Sequence, residues 1–256
     1  MTESIAILLA ALIGGIIASV GNHLLTRRRE EERTREELVQ QHLFQLQDAT
    51  ESLWYRLHNL AFRQGIDAMR DPWYFKFTTL YSLGKLLAVE RIFALEGIYP
   101  QLDAVYGEAK LGKFLREHRT DLELRGITKF QQYDRIFLAE AAIEGEQRER
   151  FRASTFVEFV KRYESTNSPE KERLDLIWRD IKNDETFWRR MVELLEHLHE
   201  FAQRILEDTG LRSHFLNKYD ENRGAYDKQV AKLKDDEAYK DSIVASLAGG
   251  GHQLLN

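Results

Sequence analysis

The apolar positions of this chain fall into blocks, and the first is unbroken: residues 4–26 carry no formal charge, and Arg27, Arg28 and Arg29 follow at once. As a helix at 1.5 Å per residue this stretch reaches about 34 Å, enough for a hydrocarbon core of about 30 Å. The start, Met1-Thr2-Glu3, is acidic, and Ala18-Ser19-Val20 is a poor cleavage site. The apolar run also exceeds the roughly 7–15 residues of a signal-peptide core. Residues 4–26 are therefore expected to be one retained transmembrane helix. The arginines place the C-terminal body in the cytoplasm and the N-terminus outside, since Lys and Arg near a span prefer that side. Within the span Ala6, Ala10, Gly14 and Ala18 recur every four residues, with Ala11, Gly15 and Ser19 beside them. Small residues at that spacing let membrane helices approach closely, so lateral association is a further expectation.

Residues 27–38 read as a charged juxtamembrane stalk that continues the helix. Glu31 with Arg35, and Arg33 with Glu37, stand four apart, where opposite charges support each other. The arginines are also placed to meet anionic lipid headgroups. A new apolar row then begins: Val39, Leu43, Leu46, Thr50, Leu53, Leu57 and Leu60 step by 4 and 3. This is a heptad pattern. It fits either pairing with a second copy or packing inside the domain.

Local punctuation divides the remainder of the chain. Asp71-Pro72 reads as an N-cap with proline in the first turn, opening a helix over 73–96 that Gly97 closes. A helix over about 100–118 comes next. Thr128 with Gln131, and Thr155 with Glu158, have capping-box spacing, and Ser168-Pro169 and Asp184 are further starts. The helix from Asp184 ends at Thr209-Gly210, and its Phe187, Met191, Leu194, Leu198, Phe201 and Ile205 form one apolar face. From Asp220 the chain turns polar and ends near three glycines, which suggests a partly disordered tail over 220–256, with a short helix between 225 and 247. The predicted architecture is all-α: a transmembrane helix, the stalk, a helical bundle over 39–219, and the tail.

Composition adds exclusions. With 31% charged residues and only three prolines in 256 residues, and without sustained polar–apolar alternation, the body is helical. The net charge of −5, with both signs interspersed, excludes the basic stripe that nucleic-acid binding needs. The chain has no cysteine, so disulfides, thiolate catalysis and Cys-bound metals do not arise.

Chemistry has to be sought among acids and histidines. Glu196-His197-Leu198-His199-Glu200 is the richest cluster, and Glu196 with His199 has the Glu-x-x-His spacing of helical di-iron sites. Those sites need the motif twice; here it occurs once, on a face turned from the apolar side. His197 and His199 point about 200° apart and cannot chelate one metal. Glu196 and His199 are therefore the metal candidates of a chain for which no metal or other cofactor is expected. Trp54, Tyr55 and His58 share a helix surface, and the aromatic run Trp73-Tyr74-Phe75 with Phe77 and Tyr81 reads as core. Glu90-Arg91, in an apolar stretch, is placed to form a buried pair that either lines a cavity or fixes helix register, the structural role being the main expectation. No phosphate-cradling Gly-rich loop, Gly-x-Ser-x-Gly turn or His-Glu-x-x-His pair is present.

The segment Phe75-Lys-Phe-Thr-Thr-Leu-Tyr-Ser-Leu-Gly-Lys-Leu-Leu-Ala-Val-Glu-Arg-Ile-Phe-Ala-Leu-Glu96, stopping at Gly97, resembles a stretch in uncharacterised bacterial proteins with one N-terminal membrane helix and a helical body. The resemblance implies an inner-membrane setting and assigns no functional residue. Three functions fit these features: a membrane-anchored interaction or scaffold protein, a membrane effector or sensor whose helical domain binds a ligand, and a metal-dependent enzyme at Glu196 and His199. The first is the main expectation, with membrane lipid and either a protein partner or a second copy as partners.

Overall fold

The computed structural model describes residues 2–62, 71–107, 111–145, 151–164, 169–210, 224, 228–233 and 235–249, with backbone alone at 2–21, 169, 196, 199, 202 and 208. Helix α1 spans Thr2–Ala61. The chain divides within it into two compact units, Met1–Gln41 and His42–Asn256.

In the first unit, the side chains of residues 22–37 are exposed. Arg27 pairs with Glu31 at 2.9 Å, Arg28 with Glu32 at 3.2 Å and Arg33 with Glu37 at 2.8 Å. Each such exposed i,i+4 pair contributes only about 0.3–0.5 kcal/mol, but together they favour helix across an otherwise polar stretch. Glu31 takes Arg27 as its partner, not Arg35.

Among the described residues no helix is long and apolar enough to cross a membrane. The expected transmembrane helix over 4–26, and with it the single-pass inner-membrane placement with the N-terminus outside, is corrected accordingly. Among the α1 residues whose side chains are described, Leu24 and Leu25 are the large apolar ones before the charged run, and Arg27 and Arg28 are held by glutamates one turn on. The row of Ala6, Ala10, Gly14, Gly15 and Ala18 lies outside the described side chains.

Among its described residues the second unit is all-α apart from one two-residue ladder. After α1 come α2 (Pro72–Leu95), α3 (Ile98–Tyr106), α4 (Leu111–Glu117), α5 (Arg119–Leu122) and α6 (Gln132–Ala141). Strands β1 (Ile143–Glu144) and β2 (Arg152–Ala153) pair antiparallel. Helices α7 (Phe156–Glu164), α8 (Pro169–Lys182), α9 (Glu185–Thr209) and α10 (Glu237–Ala248) complete the order. Leu43, Leu46, Thr50, Leu53, Leu57 and Leu60 of α1 are all buried, so this heptad row packs inside the domain.

Capping chemistry sets several boundaries. Asp71 accepts from the backbone N–H of Trp73 at 2.9 Å, with Pro72 opening α2. Thr155 and Glu158 exchange side-chain and backbone bonds at 2.7 and 3.3 Å, and Asp184 accepts from Thr186 at 3.2 Å. At α6 the box falls three residues later than Thr128 and Gln131 suggest: the Gln131 N–H donates to Asp134 at 3.1 Å. The helix expected over 100–118 is two, with Gly107 turned to φ 83 between them.

Helix α9 supplies the centre of the core. Phe187, Met191, Leu194, Leu198, Phe201 and Ile205 are at most 1% exposed. Helix α10 packs on α9 and buries Ile243, Val244 and Leu247, so the stretch read as a polar tail contains a docked helix. Gly210 ends α9 in the left-handed conformation, φ 70, its N–H donating to Leu206 O at 2.7 Å. A Cβ there meets nothing within 4 Å, so Gly210→Ala is expected to cost about 1–2 kcal/mol through backbone strain alone. Urea denaturation checks this; an unchanged midpoint would show that the cap carries no strain.

Candidate functional site

Helix α2 runs against α6 because Gly84 permits it: a Cβ at this position would lie 3.1 Å from the Leu138 carbonyl and 3.2 Å from the Ala142 Cβ. Leu87 and Arg91 follow Gly84 on the same face, at i+3 and i+7. Next to this contact opens a cleft of about 440 Å³. Helix α2 lines it with Leu87, Glu90 and Arg91, α5 with Arg119, the turn after α5 with Glu123 and Arg125, and α6 with Arg135, Ile136 and Ala139.

Charge dominates the cleft. Arg119 Nε donates to Glu90 Oε1 at 3.0 Å and forms an ion pair with Glu123 Oε1 at 2.7 Å, which brings the two carboxyls together. Arg125 pairs with the second oxygen of Glu123. The Arg119 guanidinium also lies over the Tyr99 ring, 5.7 Å from its centroid. Arg91 turns to Glu140, not to Glu90. Adjacent helical residues do not face each other, which corrects the expected Glu90-Arg91 pair: Glu90 is buried, but its cation comes from α5. Among the described residues Arg135 makes no ion pair; its Nη1 donates to the Phe130 carbonyl at 3.1 Å.

These contacts perturb ionisation in opposite senses. Burial, reinforced by the charge of Glu123, pushes the Glu90 carboxyl up, and Arg119 only partly offsets it. Burial pushes the Tyr99 phenol up too, with Glu90 adding to the effect. Arg135 is pushed down, first by burial and then by the like charge of Arg125. Arg119 is raised: burial opposes its charge, but Glu90 and Glu123 outweigh that.

The backbone at the rim is also unusual. Leu124, between Glu123 and Arg125, has φ 51 and is the one non-glycine residue with positive φ among those described. A left-handed leucine costs roughly 1–2 kcal/mol; burial of its side chain to 1% exposure offsets this. Such conformations persist where the surroundings over-determine them.

The histidine cluster is arranged differently from expectation. Glu196 and His199 lie outside the described side chains. Among the described residues no group of three or more His, Asp or Glu could hold a metal ion. The neighbour His197 instead meets a buried acid 76 residues away: its Nδ1 is 2.8 Å from Asp121 Oδ2. Asp121 also pairs with Arg190, and His118 Nδ1 lies 3.6 Å off. Asp121 thus neutralises and ties α5 to α9.

A further cleft of about 340 Å³, between α6, α7 and α8, has its main cation committed. Arg162 donates there to the carbonyls of Ala141 at 3.0 Å and Ile143 at 2.9 Å and pairs with Glu144. The cleft around Glu90 is the stronger candidate, because its cations outnumber its carboxylates. Sequence reasoning missed Arg119, Glu123, Arg125 and Arg135. The only local signal for these was the spacing of four between Arg119 and Glu123; the apolar stretch around Glu90 marks it as buried, but nothing local names Arg119 as its partner.

Compared with models of protein families, with curated proteins and with solved structures, the chain matches none. The likeness of residues 75–96 to membrane-anchored bacterial proteins is therefore corrected along with the span itself.

Proposed function

We propose that the helical domain is a ligand-binding module whose cleft takes a small organic anion. One observation carries the reading: Arg91, Arg119, Arg125 and Arg135 line a single cavity against two lining carboxylates, Glu90 and Glu123. Guanidinium groups present rigid, paired donors that match carboxylate and phosphate oxygens. A cavity of about 440 Å³ also falls within the roughly 300–1,000 Å³ range of small-molecule sites. This is the ligand-sensing alternative drawn from the sequence, without the membrane part.

The test is calorimetric titration of the full chain with inorganic phosphate, glucose 6-phosphate and citrate at low and moderate salt. Binding of at least one is expected, weakening as salt rises. Loss of a charge-assisted hydrogen bond worth about 1.5–3 kcal/mol makes Arg135→Gln bind at least about tenfold more weakly. If none of the three binds at millimolar concentration, the reading fails.

The interaction or scaffold function has separate support in an exposed apolar patch. Trp73 is 42% and Val157 58% exposed, and Phe156 lies 6.5 Å from the Trp73 ring. We place a protein contact there second, because surface apolar groups of this extent are common.

A further inference from the structure

We infer that the ligand of this cleft is a phosphorylated polyol rather than a bare oxyanion: its phosphate meets the arginines, its hydroxyls meet Glu90 and Glu123, and its carbon skeleton lies on the apolar wall. The inference rests on the anion-binding reading and specifies its ligand.

Three features of the cleft carry it. The first is the presence of acids in an anion site. Glu90 and Glu123 line the same cavity as the arginines, and a site shaped for a bare oxyanion gains nothing from carboxylates that repel it. Carboxylates accept hydrogen bonds and offer about four lone-pair positions each. Glu90 spends one of these on Arg119 Nε. Glu123 spends two, in its pairs with Arg119 and Arg125. Each retains acceptor capacity, and hydroxyl groups are the neutral donors that fill it without adding charge.

The second feature is division of labour among the arginines. Arg119 is bound to both acids, so its charge is already matched within the site. Arg91 is taken by Glu140. Arg135, whose Nη1 bonds only a backbone carbonyl among the described residues, is left to receive the anion, with Arg125 alongside, since like charge between the two is already felt at Arg135. A phosphate bridging Arg125 and Arg135 relieves that repulsion.

The third is size and lining. A phosphate group, five heavy atoms, fills only a fraction of about 440 Å³. Leu87, Ile136 and Ala139 supply an apolar surface beside the charged groups, as the C–H face of a sugar or cyclitol requires. A polycarboxylate satisfies the arginines but brings few donors for the acids, citrate a single hydroxyl, so it fits less well.

The experiment compares four probes by calorimetry on the full chain: glucose 6-phosphate, inorganic phosphate, glucose and citrate. Glucose 6-phosphate is expected to bind at least about tenfold more tightly than inorganic phosphate, with glucose alone showing no measurable binding. In Glu90→Gln that advantage shrinks toward parity while phosphate affinity holds or rises. Glu123→Gln, at a more exposed position, provides the same test if the first variant melts early. Equal affinity for glucose 6-phosphate and phosphate, or tighter binding of citrate than of either, overturns the polyol assignment and leaves the anion site standing. Failure of all four probes overturns both.

Discussion

Replacing Phe201 by alanine is expected to remove about 3–5 kcal/mol of stability, the usual cost of a cavity left by a deleted core phenylalanine. Phe201 is fully buried on α9. Its ring lies edge-on to Phe114 at 5.5 Å and to His118 at 5.6 Å. It joins α9 to α4 and to the turn that leads into α5, and through α5 to Arg119 at the cleft. For a domain of this size the melting temperature should fall by on the order of 10 °C. Phe201→Leu, which keeps most of the volume, should lose far less. Thermal and urea denaturation of both variants checks this; a loss below about 1 kcal/mol for alanine would mean that the apolar face of α9 is not tightly packed.

Acid should destabilise the domain through His58. Its ring stacks on Trp54, centroids 4.6 Å apart, and lies 4.6 Å from Phe62, with Nε2 donating to Gln229 Oε1 at 2.8 Å. Burial pushes its pKa down to about 4 from 6.5, against a smaller opposing effect of the Gln229 bond. Between these values the unfolded chain binds the proton and the folded one does not, so stability falls as pH drops from 6.5 toward 4. It is fully present above that window and changes no further below it. At about 1.4 kcal/mol per pH unit the loss reaches at most about 3 kcal/mol. His58→Phe should flatten the acid limb relative to the parent, and His58→Gln does the same if the larger ring does not fit. Urea midpoints measured from pH 4 to 8 decide it. Parallel curves for parent and variant would exclude His58 as the source.

Much of the helical framework was legible locally. Asp71-Pro72, Thr155 with Glu158, Asp184 and Gly210 all mark helix ends in the structure, because a cap is a hydrogen bond between residues two to four apart. The apolar faces of the second half of α1 and of α9 followed from period alone. Local reading erred where competing signals sat side by side. Thr128 and Gln131 have box spacing, yet the Gln131 and Asp134 pair wins. Gly107 interrupts what its neighbours' propensities would continue. The membrane reading of 4–26 weighed apolar length and flanking arginines; among the described residues no helix is long and apolar enough to cross a membrane, and Arg27 and Arg28 pair with glutamates on their own helix.

What the sequence alone determined about this protein is its all-α class, the exclusion of cysteine chemistry and several helix ends, all set by composition or by interactions spanning about one turn. The tertiary structure decided which charges meet. Glu90 finds Arg119 across 29 residues and not Arg91 beside it, and His197 finds Asp121 across 76. Ion partners are chosen by which helix faces pack together, here through the close contact at Gly84 and the left-handed turn at Leu124. Periodicity records that a face is apolar but carries no record of the face it meets, so the cleft exists only once the chain has folded.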